Sequence, residues 1–298
     1  MKIALIYNST RADTTGNYFG RALAQIGLPS DRFQLSQLKA IAPEYDLYLR
    51  IDHGDDYAVD WPAALRPRAF YTIDTHLAHT WKKIRRVVGA YDVLYCCHRK
   101  AADAIPGAVW TPLACDAHIH APVETAAVWD LAFIGNDGGI PRKFYLQALR
   151  ERYPQSFIGT AAYTDMGRLY SQARVGFNYS IGDDVNMRIF EVLAAKTCLV
   201  TNALSHTDLE DLGLRDGKEL VLYRSPCGLF DILDTLIHEP REAQRIAEAG
   251  HAAAVALHTY AHRVQAMLAV CAKRGLLSAK ALPKATLSAS TGAAALAT

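Results

Sequence analysis

The sequence contains no apolar run that approaches the 18 residues needed for a membrane-spanning helix. Its first seven residues, 1–7, hold one charge and six apolar side chains before Asn8, which predicts a β-strand. That segment is too short to be the core of a signal peptide with its flanks. We therefore expect no membrane span and a cytoplasmic location.

Cysteine patterns typical of disulfide or metal sites are also missing, because none of the six cysteines forms a C-x-x-C pair. Most of them lie among apolar neighbours, as in the segments 94–97 and 197–200. Free cysteine is among the most frequently buried residues, and reduced cysteines are typical of the cytosol. We expect reduced, mostly buried thiols at Cys96, Cys97, Cys115, Cys198, Cys227 and Cys271.

No strong charge imbalance is present, since 32 Lys and Arg residues oppose 30 Asp and Glu residues. A protein with nucleic acid as its obligatory partner usually has a clustered basic face. The composition disfavours that class but leaves nucleic acid open as an acceptor. One basic run on a predicted helix is either a solvated face or a contact for an anionic acceptor: Lys82, Lys83, Arg85 and Arg86.

Short apolar runs alternate with longer helical patterns, which is typical of parallel βαβ units, and 298 residues suit two domains. The first series predicts strands at 2–7, 45–51, 69–73, 93–97 and 109–112, and helices at 17–25, 77–87 and 99–104. The second predicts strands at 129–134, 155–158, 175–178, 198–201 and 219–223, and helices at 142–152, 164–173, 188–195, 229–238 and 240–256. We expect an α/β fold with two parallel sheets.

The segment 182–202 predicts a polar loop, a helix that begins near Asn186, and a buried strand. Free backbone N–H groups and the helix dipole favour an anion at such a position. Arg188 offers a planar fork of donors for a diphosphate, and the Glu191 carboxylate can accept hydrogen bonds from the two hydroxyls of a ribose. The alternative is a plain salt bridge between Arg188 and Glu191, which share a helix face.

A second candidate site is the turn Gly135-Asn136-Asp137-Gly138-Gly139, which follows a predicted strand where open α/β sheets bind ligands. The turn matches neither a dinucleotide fingerprint nor a P-loop, so a plain tight turn is an equal alternative to a phosphate contact.

The segment Asp74-Thr75-His76 lies at the predicted carboxyl end of a strand. It is either part of a ligand site, or Asp74 or Thr75 caps the following helix.

The loop after the first strand can approach phosphate or an acceptor through Gly16. The alternative is a solvated loop in which Thr15 or Asn17 caps the next helix. Asp13 is its only carboxylate and a candidate general base for an inverting reaction.

Two metal sites are disfavoured. The acidic segment 52–56 is similar to the metal-binding acidic pair of a different fold class, but two βαβ series do not fit that fold. His258 and His262 are one turn apart without a third ligand, so we interpret them as one helix face.

Several segments together resemble the CgeB/YkvP-like branch of the GT-B glycosyltransferases, most strongly over 129–265. They are 129–136 with Arg142, 185–194, 208–210, 217–223 and 258–263. Asp183 and Glu191 have the spacing of the two acidic residues in the retaining branch, with Asp in place of the first Glu. A second departure is Lys196, which stands where the family usually has Gly.

The resemblance implies two Rossmann-like domains that face each other across a cleft. An acceptor-side domain would span 1–120, and a nucleotide-sugar-binding domain would span 121–256 after a proline-bounded linker at 112–122. A helix near 257–270 would return to the first domain, and 276–298 would be a flexible tail. Arg142 would bind the diphosphate, Glu191 the ribose, and His76 the donor sugar.

The expected activity is sugar transfer from a nucleotide-diphosphate donor, with no metal and no cofactor, and with retained configuration. The site residues would be His76, Asp74 and Asp183 for catalysis, with donor contacts at Gly16, Gly135, Asn136, Arg142, Asn186, Arg188 and Glu191. The acceptor is open: a glycan, a protein, a small molecule or modified nucleic acid. A non-catalytic nucleotide-sugar or glycan-binding module is the alternative, whereas the loop after the first strand lacks the glycines of an NAD-dependent dehydrogenase.

Overall fold

The computed structural model describes residues 1–54, 57–278 and 282. The strands are β1 Ile3–Ile6, β2 Ser30–Phe33, β3 Leu47–Ile51, β4 Arg68–Thr72, β5 Val93–Cys96, β6 Val109–Trp110, β7 Trp129–Ile134, β8 Ser156–Gly159, β9 Ala173–Phe177, β10 Cys198–Asn202 and β11 Val221–Tyr223. The helices are α1 Thr15–Gln25, α2 Ala78–Ile84, α3 Arg99–Asp103, α4 Arg142–Arg152, α5 Met166–Ser171, α6 Met187–Ala194, α7 Asp208–Asp211, α8 Pro226–His238, α9 Pro240–Leu257 and α10 Tyr260–Lys273. The chain forms two compact units, Met1–Pro112 with the chain from Tyr260 onward, and Leu113–Thr259.

The first unit contains a parallel six-stranded sheet in the order β2-β1-β3-β4-β5-β6. Strands β1, β3, β4 and β5 are buried along their whole length, as expected for a parallel sheet covered on both faces. Helix α10 packs on α1 in this unit, where the Tyr260 ring stacks on Tyr18 at 5.3 Å between centroids.

The second unit contains a parallel five-stranded sheet in the order β11-β10-β9-β7-β8. One core cluster lies between this sheet and helices α4, α8 and α9, with Leu131, Leu149 and Leu233 at 0 % exposure. The predicted α/β class with two parallel sheets is confirmed.

Several sequence-based expectations about local structure are wrong. The helix predicted at 164–173 ends at Ser171, and Ala173 already begins β9. Strand β2 and the four-residue α7 were not predicted; β2 is an edge strand with two exposed central residues, so it lacks an apolar run. His258 follows the last residue of α9 and His262 lies in α10, so they do not share a helix face.

Five of the six cysteines are buried, whereas Cys227 is exposed.

Asp52 is buried and connects three segments, because it accepts hydrogen bonds from Gly54 N, Ile73 N and the Tyr57 hydroxyl. The remaining acidic residues of that segment, 55–56, and most of the expected tail lie outside the described residues. Within the described part of the chain, no helix has the length and apolarity to cross a membrane.

Acid is expected to destabilise the first unit through His262 of α10. Burial, and then the neighbouring Arg263 charge, lower the pKa of His262 from 6.5 to about 4. Between these values the unfolded chain binds more protons than the folded chain, so stability falls as the pH falls from 6.5 to 4. Melting temperatures across this range should fall less steeply for His262→Gln than for the wild type, and parallel curves would contradict the assignment.

Candidate functional site

The carboxyl edge of the second sheet has a topological switch point at β7. The chain leaves β7 to form β8 on one side and returns to form β9 on the other. The loops after β7 and β9 therefore diverge and leave a crevice above the strand ends, which is where open α/β sheets bind ligands. The turn 135–139 and the loop 178–186 are these two loops.

Two arginines meet at this crevice. Arg188, in the first turn of α6, donates from Nε to Ile134 O at 2.8 Å and from Nη1 to Asn178 Oδ1 at 3.0 Å. Arg142, the first residue of α4, donates from Nε to Asp137 O at 2.9 Å. Both guanidinium groups lie over the Phe133 ring, at 4.2 Å for Arg188 and 5.6 Å for Arg142.

The two guanidinium groups are close enough to repel each other. Burial, followed by the positive charge of Arg188, lowers the pKa of Arg142 from its usual value, while Asp184 and Asp137 act in the opposite direction. The hydrogen-bond acceptors Ile134 O, Asn178 Oδ1 and Asp137 O are neutral carbonyl and amide oxygens, so they hold the arginines in place without neutralising them. Such a paired cationic site favours an anion with several oxygens, such as a diphosphate.

The glycines of the turn make room for these arginines. Gly135 has φ +144 and Gly138 has φ +63, conformations that residues with a side chain rarely adopt. A Cβ at Gly135 would overlap with the Arg188 guanidinium, and a Cβ at Gly138 would overlap with that of Arg142. Asn136, predicted to contact the donor, is exposed in this turn.

A buried polar network connects the strand ends to α6. Asn178, fully buried, donates to Thr201 Oγ1 at 2.9 Å and to Ser180 Oγ at 3.2 Å, and Asn186 also donates to Ser180 Oγ. The same Asn178 accepts the Arg188 hydrogen bond. Sequence reasoning missed Asn178, although an amide directly after a buried strand is a usable signal. Asn186 Oδ1 is buried and has no hydrogen-bond partner among the described residues.

The Glu191 side chain has different neighbours from the Arg188 side chain. Its side chain is 6 % exposed and its Oε1 lies 3.7 Å from Nε2 of the fully buried His120. The Tyr170 hydroxyl is influenced by both Arg188 and Glu191: burial raises its pKa, Arg188 opposes this rise and Glu191 adds to it. The structure thus gives Arg188 and Glu191 separate environments, in place of the simple surface salt bridge considered from the sequence.

Asp183 and Lys196, the two departures from the family pattern, both have positive φ values, +65 and +57. The Asp183 carboxylate accepts hydrogen bonds from the backbone and hydroxyl of Ser205 and contacts His206, which connects two loops. Lys196 follows the end of α6 in the left-handed conformation that favours glycine, and it pairs with Glu248 at 3.3 Å.

In the first unit, Asp74, Thr75 and His76 follow β4. The expected cap is wrong: α2 begins after Leu77, and no side chain caps it. Thr75 Oγ1 instead bonds to His98 Nδ1 at 2.7 Å, and the His76 ring packs edge-on against that of His98 at 4.8 Å. Asp74 has φ +51 and is exposed at the sheet edge.

Gly16 lies at the start of α1, where a Cβ would overlap with the buried Tyr7 ring. Packing therefore requires a glycine at this position independently of any ligand. The helix cap is Thr14, so the expected caps Thr15 and Asn17 are wrong. Asp13 pairs with Arg11 at 2.6 Å, and this hydrogen bond lowers the pKa of Asp13, which weakens it as a general base.

A protein-family model described as glycosyl transferase-like matches residues 111–269, more than half of the chain. The chain belongs to this family. The match includes the first ten residues of α10 and the whole second unit from β7 to α9, with the paired arginines of the crevice. No curated protein sequence matches the chain.

Several solved structures share the fold of this chain at low sequence identity. HepE of Anabaena, solved with UDP and glucose, is 13% identical over 92% of this chain and 100% of HepE, with a TM-score of 0.64. An alpha-glucosyltransferase solved with UDP and a 13-mer DNA is 9% identical over 91% of this chain and 99% of that chain, with a TM-score of 0.59. TarM is 9% identical, with 79% of this chain covered and a TM-score of 0.58, and the chain spans only 56% of TarM. These likenesses establish the GT-B fold, with one Rossmann-like sheet in each unit.

Proposed function

We propose that this glycosyl transferase-like protein moves a sugar from a nucleotide-diphosphate donor to an acceptor. The observation that supports it most is the convergence of Arg142 and Arg188 at the switch point of the second sheet, each held by neutral oxygens. Two forks of positive charge in a half-buried crevice match the charge of a diphosphate. HepE, of the same fold, was solved with UDP-glucose, which is the same class of donor.

Arg142 and Arg188 would stabilise the charge that develops on the diphosphate as the bond to the sugar breaks. Preorganised donors of this kind lower a barrier because they need no reorganisation during the reaction. The first N–H groups of α6, next to Asn186, add a further positive potential. Because the protein supplies this charge, we propose a metal-independent reaction without a cofactor.

Glu191 is our proposed ribose contact, and Gly135 and Asn136 our proposed backbone contacts beside the phosphates. In the first unit, His76 and Asp74 are proposed to contact the transferred sugar, with Gly16 as a further contact. Retention is proposed from the spacing of Asp183 and Glu191 alone. Asp183 would have to leave Ser205 before it reaches a sugar.

The acceptor is the open part of the proposal: a glycan, a protein, a small molecule or modified nucleic acid. A nucleic-acid or other anionic acceptor is favoured by one observation, the exposed basic run Lys82, Lys83, Arg85 and Arg86 on and after α2. The alpha-glucosyltransferase of the same fold was solved with DNA. The second candidate function is a non-catalytic nucleotide-sugar-binding module, favoured by the engagement of Asp183 with Ser205.

One nucleoside diphosphate is expected to raise the melting temperature of the wild type without Mg²⁺. A ligand at about 100 times its dissociation constant adds roughly 2–3 kcal/mol of stability. The measurement is a thermal-shift panel of UDP, GDP, ADP, CMP and dTDP, with and without Mg²⁺, on the wild type and Glu191→Ala. The shift should be much smaller in Glu191→Ala, because the ribose contact is removed.

An assay for the release of sugar from the matching nucleotide sugar distinguishes the transferase from the binding module. A binding module would give the thermal shift without turnover. No shift with any nucleotide would contradict the donor site itself. A shift that requires Mg²⁺ would contradict the metal-independent mechanism.

A further inference from the structure

We propose that His120 is a positioning residue that orients the Glu191 carboxylate for recognition of the donor ribose. This inference rests on the proposed function, in which Glu191 binds the ribose. His120 lies in the segment between the two βαβ series, far from α6 in sequence, yet its side chain is fully buried against Glu191. The distance between His120 Nε2 and Glu191 Oε1 is 3.7 Å.

A closed turn fixes the His120 ring. Asp116 N donates to His120 Nδ1 at 3.1 Å, and His120 N donates back to Asp116 O at 2.9 Å. The Asp116 carboxylate also accepts from the backbone N–H groups of His118 and Ile119, at 3.0 and 3.3 Å. The backbone and the ring of His120 are therefore both anchored within five residues.

The turn also determines which ring nitrogen holds the proton. Because Nδ1 accepts the Asp116 N–H, the neutral ring must carry its hydrogen on Nε2. That hydrogen is on the side of Glu191, so the N–H dipole of His120 faces the carboxylate at 3.7 Å, an electrostatic contact that is longer than a hydrogen bond. Burial of a carboxylate away from N–H groups costs free energy. A fixed N–H group also favours one rotamer of the Glu191 side chain.

Helix α5 packs directly against the backbone at the end of this turn. A Cβ at Gly167 would overlap with Ala121 O and lie 2.9 Å from Ile119 O, so only glycine permits this close approach of the turn to the helix. Tyr170, one turn further along α5, lies near Glu191 and Arg188. Helix α5 thus packs closely on the turn that contains His120, and it also carries Tyr170, whose hydroxyl is influenced by the Glu191 charge.

The test compares binding of ribonucleotides with that of their 2′-deoxy counterparts, in the pairs UDP and dUDP, GDP and dGDP, and ADP and dADP. The wild type should prefer one ribonucleotide by about tenfold, the worth of one hydrogen bond to a charged group. His120→Leu should reduce this ratio to nearly one. His120→Gln, whose amide can donate near the position of Nε2, should restore most of it.

His258→Leu is the matched control, because His258 is also a buried histidine of the second unit, bonded through Nε2 to Leu212 O. It should lower the melting temperature but keep the ribose ratio. A normal ratio in His120→Leu or no recovery in His120→Gln would overturn the positioning role. A wild type with a ratio of one would overturn the ribose role of Glu191, and a wild type that binds none of the six nucleotides would overturn the proposed function as well.

Discussion

Replacing Arg188 with alanine is expected to weaken binding of the preferred nucleoside diphosphate by about 10- to 100-fold, the worth of one to two charge-assisted hydrogen bonds. Arg188 lies over Phe133 and is anchored by Ile134 O and Asn178 Oδ1, so its fork is fixed before any ligand arrives. A preorganised group loses little entropy on binding, which makes its removal expensive. The measurement is calorimetric titration with the diphosphate that stabilises the wild type.

The same change should lower the free energy of unfolding by about 1–3 kcal/mol, because Asn178 Oδ1 loses a buried partner. Arg188→Lys keeps the charge but not the fork, so its affinity should lie between those of the wild type and the alanine variant. Arg150→Ala, on the exposed surface of α4, controls for the general loss of a positive charge. Unchanged affinity in Arg188→Ala would show that the anion binds elsewhere.

The fold was largely predictable because buried parallel strands appear in sequence as short apolar runs. Helix α4 was predicted with its observed bounds, Arg142–Arg152, and the two parallel sheets are confirmed. Edge strand β2 was not predictable in this way, since Asp31 and Arg32 are exposed and no apolar run marks it. The cap residues of α1 and α2 were also missed, because the caps at Thr14 and Leu77 use backbone conformation without a capping side chain.

The part of the candidate site whose residues directly follow a strand could be predicted from the sequence. The contacts between segments that are distant in sequence could not be predicted. Arg142 and Arg188 follow β7 and β9, and the switch point brings them to one crevice. The contact of His120 with Glu191 had no sequence signal, because the segment at 112–122 was interpreted as a linker without structure of its own.

Gly138→Ala is expected to reduce diphosphate affinity by about tenfold or more, while the protein still folds. The new Cβ would overlap with the Arg142 guanidinium and with Ile181 Cδ1, both at the ends of flexible side chains. The cheapest response is therefore for Arg142 to move out of the crevice, which separates the two arginines. Arg142 Nε would lose its hydrogen bond to Asp137 O, and the diphosphate would lose one of its two forks.

Gly139→Ala separates this displacement from backbone strain. Gly139 also has a positive φ, +78 against +63 at Gly138, but a Cβ there meets no atom within 4 Å. Both variants should therefore lose a similar amount of stability, about 1 kcal/mol, from a side chain forced into the left-handed region. Only Gly138→Ala should also lose affinity for the diphosphate. Equal losses of affinity in both variants would mean that the turn binds the ligand through its own backbone, and that the position of Arg142 is secondary.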